Sequence, residues 1–358
     1  EEVSLPVDGE EYLRELTARR ATSRRKEDGR RGGHGGQLRE SRTVKCAVIG
    51  HGNIGRVPRR VLEELGHAPV LCDSDETRRG GGYADWREML ARERQDVVHI
   101  CTPHCLHADM VVGCLEAGAH VLCEKPLCIR REDIPRILEA ERCAKGMLGV
   151  CLQNRYNPSS RYAAQFLRTR RVKSAAAMHS WHRDGAYYAS GAWRGKWATE
   201  GGGVLINQAL HTVDLIQWLA GMPERVAAQI GQLSLGGVIE AEDTAVLRMT
   251  AGDTVETLFA TTGGGVDFPP VVFFETEDGA RLELLPDAVR VNGESVPLEA
   301  PRAAYGKPCY GGSHRLLIEH FYQCAASGER FPVDGAEGAR SVRIVLAAYE
   351  SRGRTLAL

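Results

Sequence analysis

The sequence predicts an α/β protein in which a parallel sheet is followed by a second, largely antiparallel sheet. Three observations support this fold class. A glycine-rich turn near residue 50 joins a short apolar run to a helical pattern. Strand and helix patterns then alternate to about residue 154, which is typical of a parallel sheet covered by helices on both faces. Beyond residue 155, strand-like runs follow one another with few helices between them, which favours antiparallel pairing.

The glycine-rich turn occupies residues 50–55 (GHGNIG), between an apolar run at 44–49 and helical spacing at 54–65. In a nucleotide-binding turn the first glycine permits the sharp bend, and the second lets a pyrophosphate approach the backbone. The third lets the helix pack on the strand, and the helix start offers unpaired N–H groups to phosphate. We therefore expect a dinucleotide to contact Gly50, Gly52, Asn53, Ile54 and Gly55.

A carboxylate follows this turn at the distance expected for ribose recognition. Residues 70–73 have the pattern of a short strand that ends at Asp73, about 20 residues beyond the glycines. A carboxylate there accepts hydrogen bonds from ribose hydroxyls and repels a ribose phosphate, so the sequence favours NAD, with NADP still possible. The alternative is an ordinary turn residue beside Ser74 and Asp75.

Composition restricts the partners of the protein. A chain of 358 residues holds about two domains. A net charge of -1 gives no reason to expect nucleic acid or an anionic membrane as partner, and no apolar run approaches the length of a membrane span. Eleven cysteines, most of them inside apolar patterns, indicate free thiols in a reducing compartment, so we expect a cytoplasmic protein.

The predicted organisation has three parts. Residues 1–42 are rich in Arg, Gly and Ser toward their end, and we expect a disordered or partly helical extension. Residues 43–154 are expected to form the Rossmann NAD-binding domain, and residues 155–358 a second domain built on a largely antiparallel sheet. In the latter, two Asx-Gly pairs at 278–279 and 292–293 predict hairpin turns. Helices are expected at 204–220, 313–326 and 338–351.

Two loops follow predicted strands at their carboxyl ends, where nucleotides bind in such sheets. The first comes after the strand at 96–101 and the second after the strand at 120–123. A lysine in the second loop would direct its amine toward the nicotinamide, although position alone leaves a surface lysine as an equal alternative. The predicted cofactor contacts in these loops are Thr102, Pro103, Glu124, Lys125 and Pro126.

A second polar cluster lies in an apolar helical pattern that follows the triglycine at 201–203. Asn207, His211 and Asp214 are spaced by four and three residues, so they project from one side of a helix. A helix that is apolar on its other faces is buried, and its polar groups must be hydrogen-bonded. These side chains could contact a polar ligand in a cleft. A core histidine bonded to Asp214 or to a backbone carbonyl is the alternative.

Together these motifs resemble the glucose–fructose oxidoreductase/inositol dehydrogenase (Gfo/Idh/MocA) family. The resemblance extends from about residue 43 to 352 and includes the segment at 331–335. It implies an N-terminal Rossmann domain, a C-terminal α+β domain with a large, mostly antiparallel open sheet, and a cleft between them. It also implies a homodimer or homotetramer that associates through the exposed sheet face, and oxidation or reduction of a hydroxyl-bearing carbon of a sugar, a cyclitol or a related polyol.

The resemblance assigns catalytic roles to three residues. Lys125 corresponds to the family's lysine that contacts the reacting hydroxyl, and His211 to its catalytic histidine. Asn207 occupies a position that is often aspartate; the neutral side chain can orient His211 but cannot raise its basicity as a carboxylate would. The expected reaction is hydride transfer between substrate and nicotinamide, with His211 or Lys125 exchanging the hydroxyl proton.

Substrate specificity is expected to depend on two segments, residues 153–158 at the domain crossing and residues 181–197. The second is dense in aromatic and Arg residues, which suit sugar faces and hydroxyls, while a packed surface loop or subunit contact is the alternative. The predicted substrate contacts are Lys125, Arg155, Asn157, Arg183, Trp193, Arg194, Asn207 and His211.

Two other functions stay open at this point. One is an NAD-dependent glycoside hydrolase of the same fold, and the other is a non-catalytic nucleotide-binding sensor, against which the presence of both Lys125 and His211 argues. No metal is expected, because the potential ligands in residues 101–107 do not follow the spacing of a zinc site.

Overall fold

The computed structural model describes residues 44–299 and 312–358. The extension predicted for residues 1–42 therefore lies outside the described residues. Within the described ranges the chain forms a five-stranded sheet and, after it, a nine-stranded sheet. This confirms the predicted fold class, a Rossmann sheet followed by a large and mostly antiparallel sheet. The division between two domains at residue 155 stays a prediction.

The first sheet is parallel throughout, with the strand order β2-β1-β3-β4-β5. Its strands are short apolar runs that are almost completely buried, as a sheet covered on both faces requires. They are β1 (Cys46–Ile49), β2 (Val70–Cys72), β3 (Val97–Ile100), β4 (His120–Cys123) and β5 (Leu148–Val150). The first four correspond to the runs predicted at 44–49, 70–73, 96–101 and 120–123.

Helices cover both faces of this sheet. Five of them belong to the first half of the chain: α1 (Arg56–Glu64), α2 (Glu76–Arg79), α3 (Trp86–Arg92), α4 (His107–Glu116) and α5 (Asp133–Cys143). Two more come from the end of the chain, α9 (Ser313–Ser327) and α10 (Gly335–Ser351). Leu317 and Phe321 of α9 and Val342 of α10 lie in the same apolar core as the strands of the first sheet. The last helices therefore return to the first sheet.

The second sheet has the order β13-β12-β11-β10-β6-β9-β8-β7-β14. All of its strand pairs are antiparallel except β6 with β9. Hairpin turns at 278–279 and 292–293 join β10 to β11 and β12 to β13, as predicted. The strands are β6 (Val172–Ser180), β7 (Arg225–Gly231), β8 (Thr244–Ala251), β9 (Thr254–Thr261), β10 (Phe268–Thr276), β11 (Arg281–Leu284), β12 (Val289–Val291), β13 (Glu294–Ser295) and β14 (Leu356–Ala357).

One face of the second sheet is covered by helices. They are α6 (Pro158–Leu167), α8 (Leu210–Ala220) and α10, while α7 (Gly185–Ala189) lies in the loop after β6. Helix α6 was not predicted from the sequence, although Pro158 at its first position is a common helix start. Ile344 and Val345 of α10 lie in the core under the second sheet, so this helix packs between the two cores.

The sequence predicts free cysteines and no membrane-spanning segment. The ten cysteines in the described part of the chain are all free thiols, and eight of them are buried. In the same part, no helix combines the length and the apolar character needed to cross a bilayer.

We expect Glu256 to make the stability of the protein depend on pH. The side chain faces the covered side of β9 with 0% exposure, and neither carboxylate oxygen has a hydrogen-bond partner among the described residues. Burial raises the pKa of Glu256 from 4.5 to about 7. Because the folded pKa is the higher one, the stabilisation from protonated Glu256 is complete below about pH 4.5 and is lost as the pH rises through 7.

The variant Glu256→Gln removes the ionisation and keeps the shape. We expect it to exceed the wild type in unfolding free energy by about 3 kcal/mol at pH 8 and to differ little at pH 5, measured by urea unfolding. Glu240→Gln, at an exposed position, is the matched control and should change neither value. An equal effect of Glu256→Gln at both pH values would show that its ionisation is not the cause.

Candidate active site

The glycine turn has the shape that a pyrophosphate needs. Gly50 has φ +85°, and a Cβ there would lie 2.7 Å from the backbone of Cys101. A Cβ on Gly55 would lie 1.9 Å from the carbonyl oxygen of Gly50, so only glycine fits at both positions. A Cβ on Gly52 would meet nothing nearer than Arg78 Nη1 at 3.8 Å. The outer side of the turn is therefore open, next to the start of α1, where phosphate is favoured.

Asp73 lies beside this turn and is hydrogen-bonded to its backbone. Its Oδ2 accepts the N–H of His51 at 2.8 Å and its Oδ1 accepts the N–H of Asp75 at 2.9 Å. These bonds fix a partly exposed carboxylate directly beside the glycine turn, at the end of β2. The turn and the carboxylate together fit an adenosine ribose and its pyrophosphate, so the residues present fit a dinucleotide.

His107 joins the two loops in which nicotinamide contacts were predicted. Its Nδ1 lies 2.7 Å from the carbonyl oxygen of Pro126 and its Nε2 lies 2.9 Å from that of Thr102. The neighbouring His104 reaches further, with Nδ1 2.8 Å from the carbonyl oxygen of Glu200. These imidazoles thus hold backbone segments together at the carboxyl edge of the first sheet.

Lys125 lies where the loop after β4 meets the segment that precedes α8. Its Nζ donates to the carbonyl oxygen of Asn207 at 2.6 Å and to Asn207 Oδ1 at 3.3 Å. Burial lowers the pKa of Lys125, while the carboxylates of Glu124 and Glu200 act in the opposite direction. The amine therefore releases its proton more readily than that of an exposed lysine.

Three glycines build the segment that carries Asn207. Gly201 and Gly202 have φ values of +87° and +145°, and a Cβ on Gly203 would lie 1.8 Å from the carbonyl oxygen of Glu242. The buried carboxylate of Glu242 accepts the N–H groups of Gly203 at 2.8 Å and Leu205 at 3.0 Å. Burial raises the pKa of Glu242 to about 7. Glycine is needed at 203 because a side chain there would push the backbone away from Glu242, and at 201 and 202 because a Cβ would meet Ile129 and Tyr349.

The helix predicted for residues 204–220 was wrong at its start. Regular helix begins at Leu210, and the N–H of Ala209 bonds the carbonyl oxygen of Val204 at 2.8 Å, five residues back. This wider turn is set by the hydrogen bonds to Glu242, which the local sequence does not contain. Asn207 therefore lies in a turn before α8, and its amide contacts Lys125 instead of His211.

His211 lies in the first turn of α8 and faces a cavity. Its Nε2 is 3.2 Å from Gln153 Nε2, and its buried Nδ1 has no hydrogen-bond partner among the described residues. Burial, together with the charge of Lys125, lowers the pKa of His211 well below 6.5. The imidazole is therefore neutral near pH 7. Since the Gln153 NH2 group only donates, Nε2 is the acceptor nitrogen of His211, and the Nδ1–H is left as a donor for a ligand oxygen.

The cavity is small, about 30 Å³, and both polar and apolar residues line it. Asn157, predicted as a substrate contact, lines it together with His211. The other polar or aromatic lining residues are Asn154, Ser160, His179, Trp181, Gln208 and Thr212, and the apolar ones include Leu215, Val272 and Leu284.

Arg155 has partners inside the protein. Its guanidinium donates to both carboxylate oxygens of Asp214, at 2.7 and 2.8 Å, and to Glu337 Oε2 at 3.0 Å. It is not among the residues that line the cavity. The pairing also means that Asp214 binds Arg155, whereas the sequence left Asp214 open as a partner of His211.

The segment at 181–197 packs against Asn207 around the hydroxyl of Tyr187. This hydroxyl accepts hydrogen bonds from Arg194 Nη1 at 2.6 Å and from Asn207 Nδ2 at 3.4 Å. The Arg194 guanidinium lies over the rings of Tyr187 and Trp193, at 4.4 and 4.6 Å, and that of Arg183 lies 4.9 Å from Tyr187. Arg183, Trp193 and Arg194 are thus brought near Asn207, although they do not line the cavity.

Glu200, which was not predicted from the sequence, is almost completely buried beside Asn207. Its carboxylate accepts hydrogen bonds from Asn207 Nδ2 and from the N–H of Gly195. Burial raises the pKa of Glu200, while these donors and the charges of Arg194 and Lys125 oppose the shift. Its position immediately before the triglycine was the only signal in the sequence.

One group of potential metal ligands lies close to Lys125. Oxygen, sulfur and nitrogen atoms of Glu124, Cys151 and His314 lie within 4.8 Å of one another. The Glu124 carboxylate already accepts the backbone N–H of Lys125 at 3.3 Å, and the Lys125 ammonium supplies positive charge there. The expectation that no metal is bound stays a prediction.

Two family models match the chain. The model described as "Oxidoreductase family, NAD-binding Rossmann fold" matches residues 44–152, and the "GFO/IDH/MocA C-terminal domain" model matches residues 170–281. The matched ranges contain the first sheet and most of the second.

Similar proteins cover nearly the whole described chain. Inositol 2-dehydrogenase 2 of Saccharopolyspora erythraea is 25% identical in an alignment of 327 residues that covers 86% of this chain and 93% of the relative. Levoglucosan dehydrogenase of Pseudarthrobacter phenanthrenivorans is 23% identical, with 83% and 88% covered. The solved WlbA dehydrogenase of Bordetella pertussis, in complex with NADH and UDP-GlcNAcA, is 27% identical with a TM-score of 0.76, covering 88% of this chain and 99% of that one.

The N-terminal and C-terminal domain models of one family thus match this chain in the same order as its two sheets. The chain therefore belongs to the Gfo/Idh/MocA family of oxidoreductases with an NAD-binding Rossmann fold.

Proposed function

We propose that the protein transfers a hydride between a nicotinamide dinucleotide and a hydroxyl-bearing carbon of a sugar, a cyclitol or a related polyol. The observation that carries the proposal is the contact of the Lys125 ammonium with Asn207, four residues before His211. It brings the nucleotide-binding loops next to the segment that lines a polar cavity. The relatives named for inositol and levoglucosan act on ring compounds that carry hydroxyls, which supports this substrate class.

The dinucleotide would lie along the carboxyl edge of the first sheet. When bound, it takes up a hydride during oxidation of the substrate and returns it during reduction. The carboxylate of Asp73 favours NAD over NADP, because it would repel a ribose phosphate. The proposed cofactor contacts are Gly50, Gly52, Asn53, Ile54, Gly55, Asp73, Thr102, Pro103, Glu124, Lys125 and Pro126.

The protein's own task is to move the hydroxyl proton and to stabilise charge on the oxygen. In oxidation the substrate loses a hydride from carbon and a proton from oxygen, which leaves a carbonyl. The neutral imidazole of His211 can accept that proton at Nε2, the nitrogen that carries no hydrogen and that now accepts from Gln153, and the Lys125 ammonium can stabilise the alkoxide that precedes the carbonyl. Asn207 holds Lys125 in place through two hydrogen bonds.

The uncovered face of the second sheet supports a homodimer or homotetramer. Met178 on β6, Phe259 on β9 and Val246 on β8 are register neighbours, and their exposures are 39%, 42% and 47%. Such a continuous apolar row is unusual on the surface of a monomer and packs well against the same face of a second copy. We also infer a reducing compartment such as the cytoplasm, since the ten described cysteines are free thiols.

A panel of free sugars and cyclitols tests the reaction. We expect net formation of NADH with at least one of them, followed at the nicotinamide absorbance, and lower kcat/KM with NADP because of Asp73. Glycosides belong in the same panel. Cleavage of a glycoside without net NADH, or failure to bind either dinucleotide, would contradict the proposal.

The variant Lys125→Met tests the catalytic lysine. We expect kcat to fall by roughly 10²- to 10⁴-fold, because both charge stabilisation and proton exchange are removed, while NADH binding survives. Fluorescence titration with NADH and steady-state kinetics measure the two effects. Lys45→Met, at an exposed lysine, is the matched control. Normal turnover of Lys125→Met would show that Lys125 is not catalytic.

The variant Phe259→Glu tests the subunit interface. A carboxylate at the centre of the apolar row would be buried against the partner, so we expect the assembly to dissociate into monomers, measured by light scattering after gel filtration. Leu233→Glu places the same charge on an exposed residue beyond the end of β7 and should leave the assembly intact. A monomeric wild type, or an unchanged Phe259→Glu assembly, would rule out this interface.

A further inference from the structure

Glu200 is a buried carboxylate that the mechanism proposed above does not use. Its side chain is 1% exposed. One carboxylate oxygen accepts the N–H of Gly195, and the other accepts Asn207 Nδ2. A buried carboxylate of this kind is destabilising unless hydrogen bonds and positive charges compensate it, and the charges that act on Glu200 are those of Arg194 and Lys125.

The amide of Asn207 can fit between Glu200 and Lys125 in only one orientation. An ionised carboxylate only accepts hydrogen bonds, so the NH2 group of Asn207 must face Glu200. The amide oxygen then faces the other way, where Lys125 Nζ lies 3.3 Å from it. An ammonium only donates, so this end also matches. In the reversed orientation the amide oxygen would face the Glu200 carboxylate and the NH2 group would face the Lys125 ammonium, so neither hydrogen bond could form.

We propose that Glu200 is a positioning residue that acts on Lys125 through Asn207: its carboxylate holds the NH2 group of the amide, so that the amide oxygen faces the ammonium. The same carboxylate also favours the charged form of the amine. The claim that this serves the reaction rests on the proposed function. The electrostatic coupling itself does not, and it can be measured without turnover.

Several other groups act on Lys125 and must be considered with Glu200. Glu124 also favours the ammonium, whereas burial and Arg194 oppose it. Removing Glu200 therefore leaves Glu124 as the main carboxylate that supports the charge, so Lys125 should lose its proton at lower pH. The remaining groups coupled to Lys125 are Cys151, His104, His107, His179, His211 and His314.

The first test measures the protonation of Lys125 directly. Brief acetylation with acetic anhydride at a series of pH values, followed by mass spectrometry of the peptide that contains Lys125, gives the fraction of free amine. We expect the labelling curve of Glu200→Gln to move to lower pH than that of the wild type. In Glu200→Asp the charge is kept but withdrawn by one methylene, so we expect a smaller shift in the same direction.

A double variant separates charge coupling from a purely structural role. In Glu200→Gln with Asn207→Asp, the carboxylate moves to position 207 and the amide to position 200. The amide introduced at position 200 is able to accept from Gly195 through its oxygen and to donate to the new carboxylate through its nitrogen, so the hydrogen bonds of position 200 are kept. We expect the labelling curve to return to or above the wild-type pH. If Glu200 merely held Gly195, moving the carboxylate would not restore the curve.

The second test uses the reaction. We expect Glu200→Gln to lower kcat by roughly 10- to 100-fold and to shift the pH profile in the same direction as the labelling curve, with NADH affinity unchanged. Labelling curves of Glu200→Gln and Glu200→Asp that coincide with the wild type would overturn the proposal, and the Asp variant decides if the Gln variant does not fold. A shifted curve in a protein that oxidises no substrate would overturn the proposed function and leave the coupling intact.

Discussion

The hydrogen bond from the Lys125 ammonium to the carbonyl oxygen of Asn207 is the contact on which the site depends, because it joins the nucleotide-binding loops to the cavity. At 2.6 Å it requires both backbone segments to be held accurately. On one side the His107 imidazole lies 2.7 Å from the carbonyl oxygen of Pro126 and 2.9 Å from that of Thr102, and its single N–H donates to one of them. On the other side Glu242 fixes the turn of Asn207 through two N–H groups. Rigid supports of this kind keep a reacting group within a fraction of an ångström of its position.

Burial and one partly buried cation together determine the protonation of the histidines in the site. The charge of Lys125 acts on five histidines, and all five have pKa values below the ordinary range, with burial as the main cause and the ammonium as a further one. They are therefore neutral near pH 7, and His211 is free to accept a proton. Glu124 and Glu200 are the carboxylates that oppose the loss of the proton from Lys125 itself. Because Glu124 and Glu200 favour the charged form of Lys125, the ammonium can stabilise an alkoxide while the imidazole of His211 acts as the base.

The parts of this structure that the sequence predicted are those determined by neighbouring residues. The strands of the first sheet are short apolar runs, and the glycines at 50 and 55 are required by contacts within the same turn or with the adjacent strand.

The parts that the sequence did not predict depend on residues far apart in the chain. Helix α8 begins at Leu210 because Glu242, more than thirty residues later, binds the N–H groups of the preceding turn. Arg155 was predicted to contact substrate, but in the structure it binds Glu337. The two residues are 182 positions apart and no local pattern connects them, so the sequence could not reveal this pair. Glu200 gave no signal beyond its position before the triglycine, since the role of a single buried carboxylate depends on the residues that surround it in the fold.

The last helix explains why the two halves of the site keep their relative positions. Helix α10 packs against both cores. From its first turn Glu337 binds Arg155, which also binds Asp214 of α8. From its last turn Tyr349 donates to Glu242 at 2.8 Å and accepts the N–H of Ile206 at 3.2 Å. One helix therefore supports the residues that precede and follow His211 at two points. Since breaking either polar contact would leave a buried charge or N–H without a partner, movement of α10 is costly, and the geometry around Lys125 is built into the fold before any ligand binds.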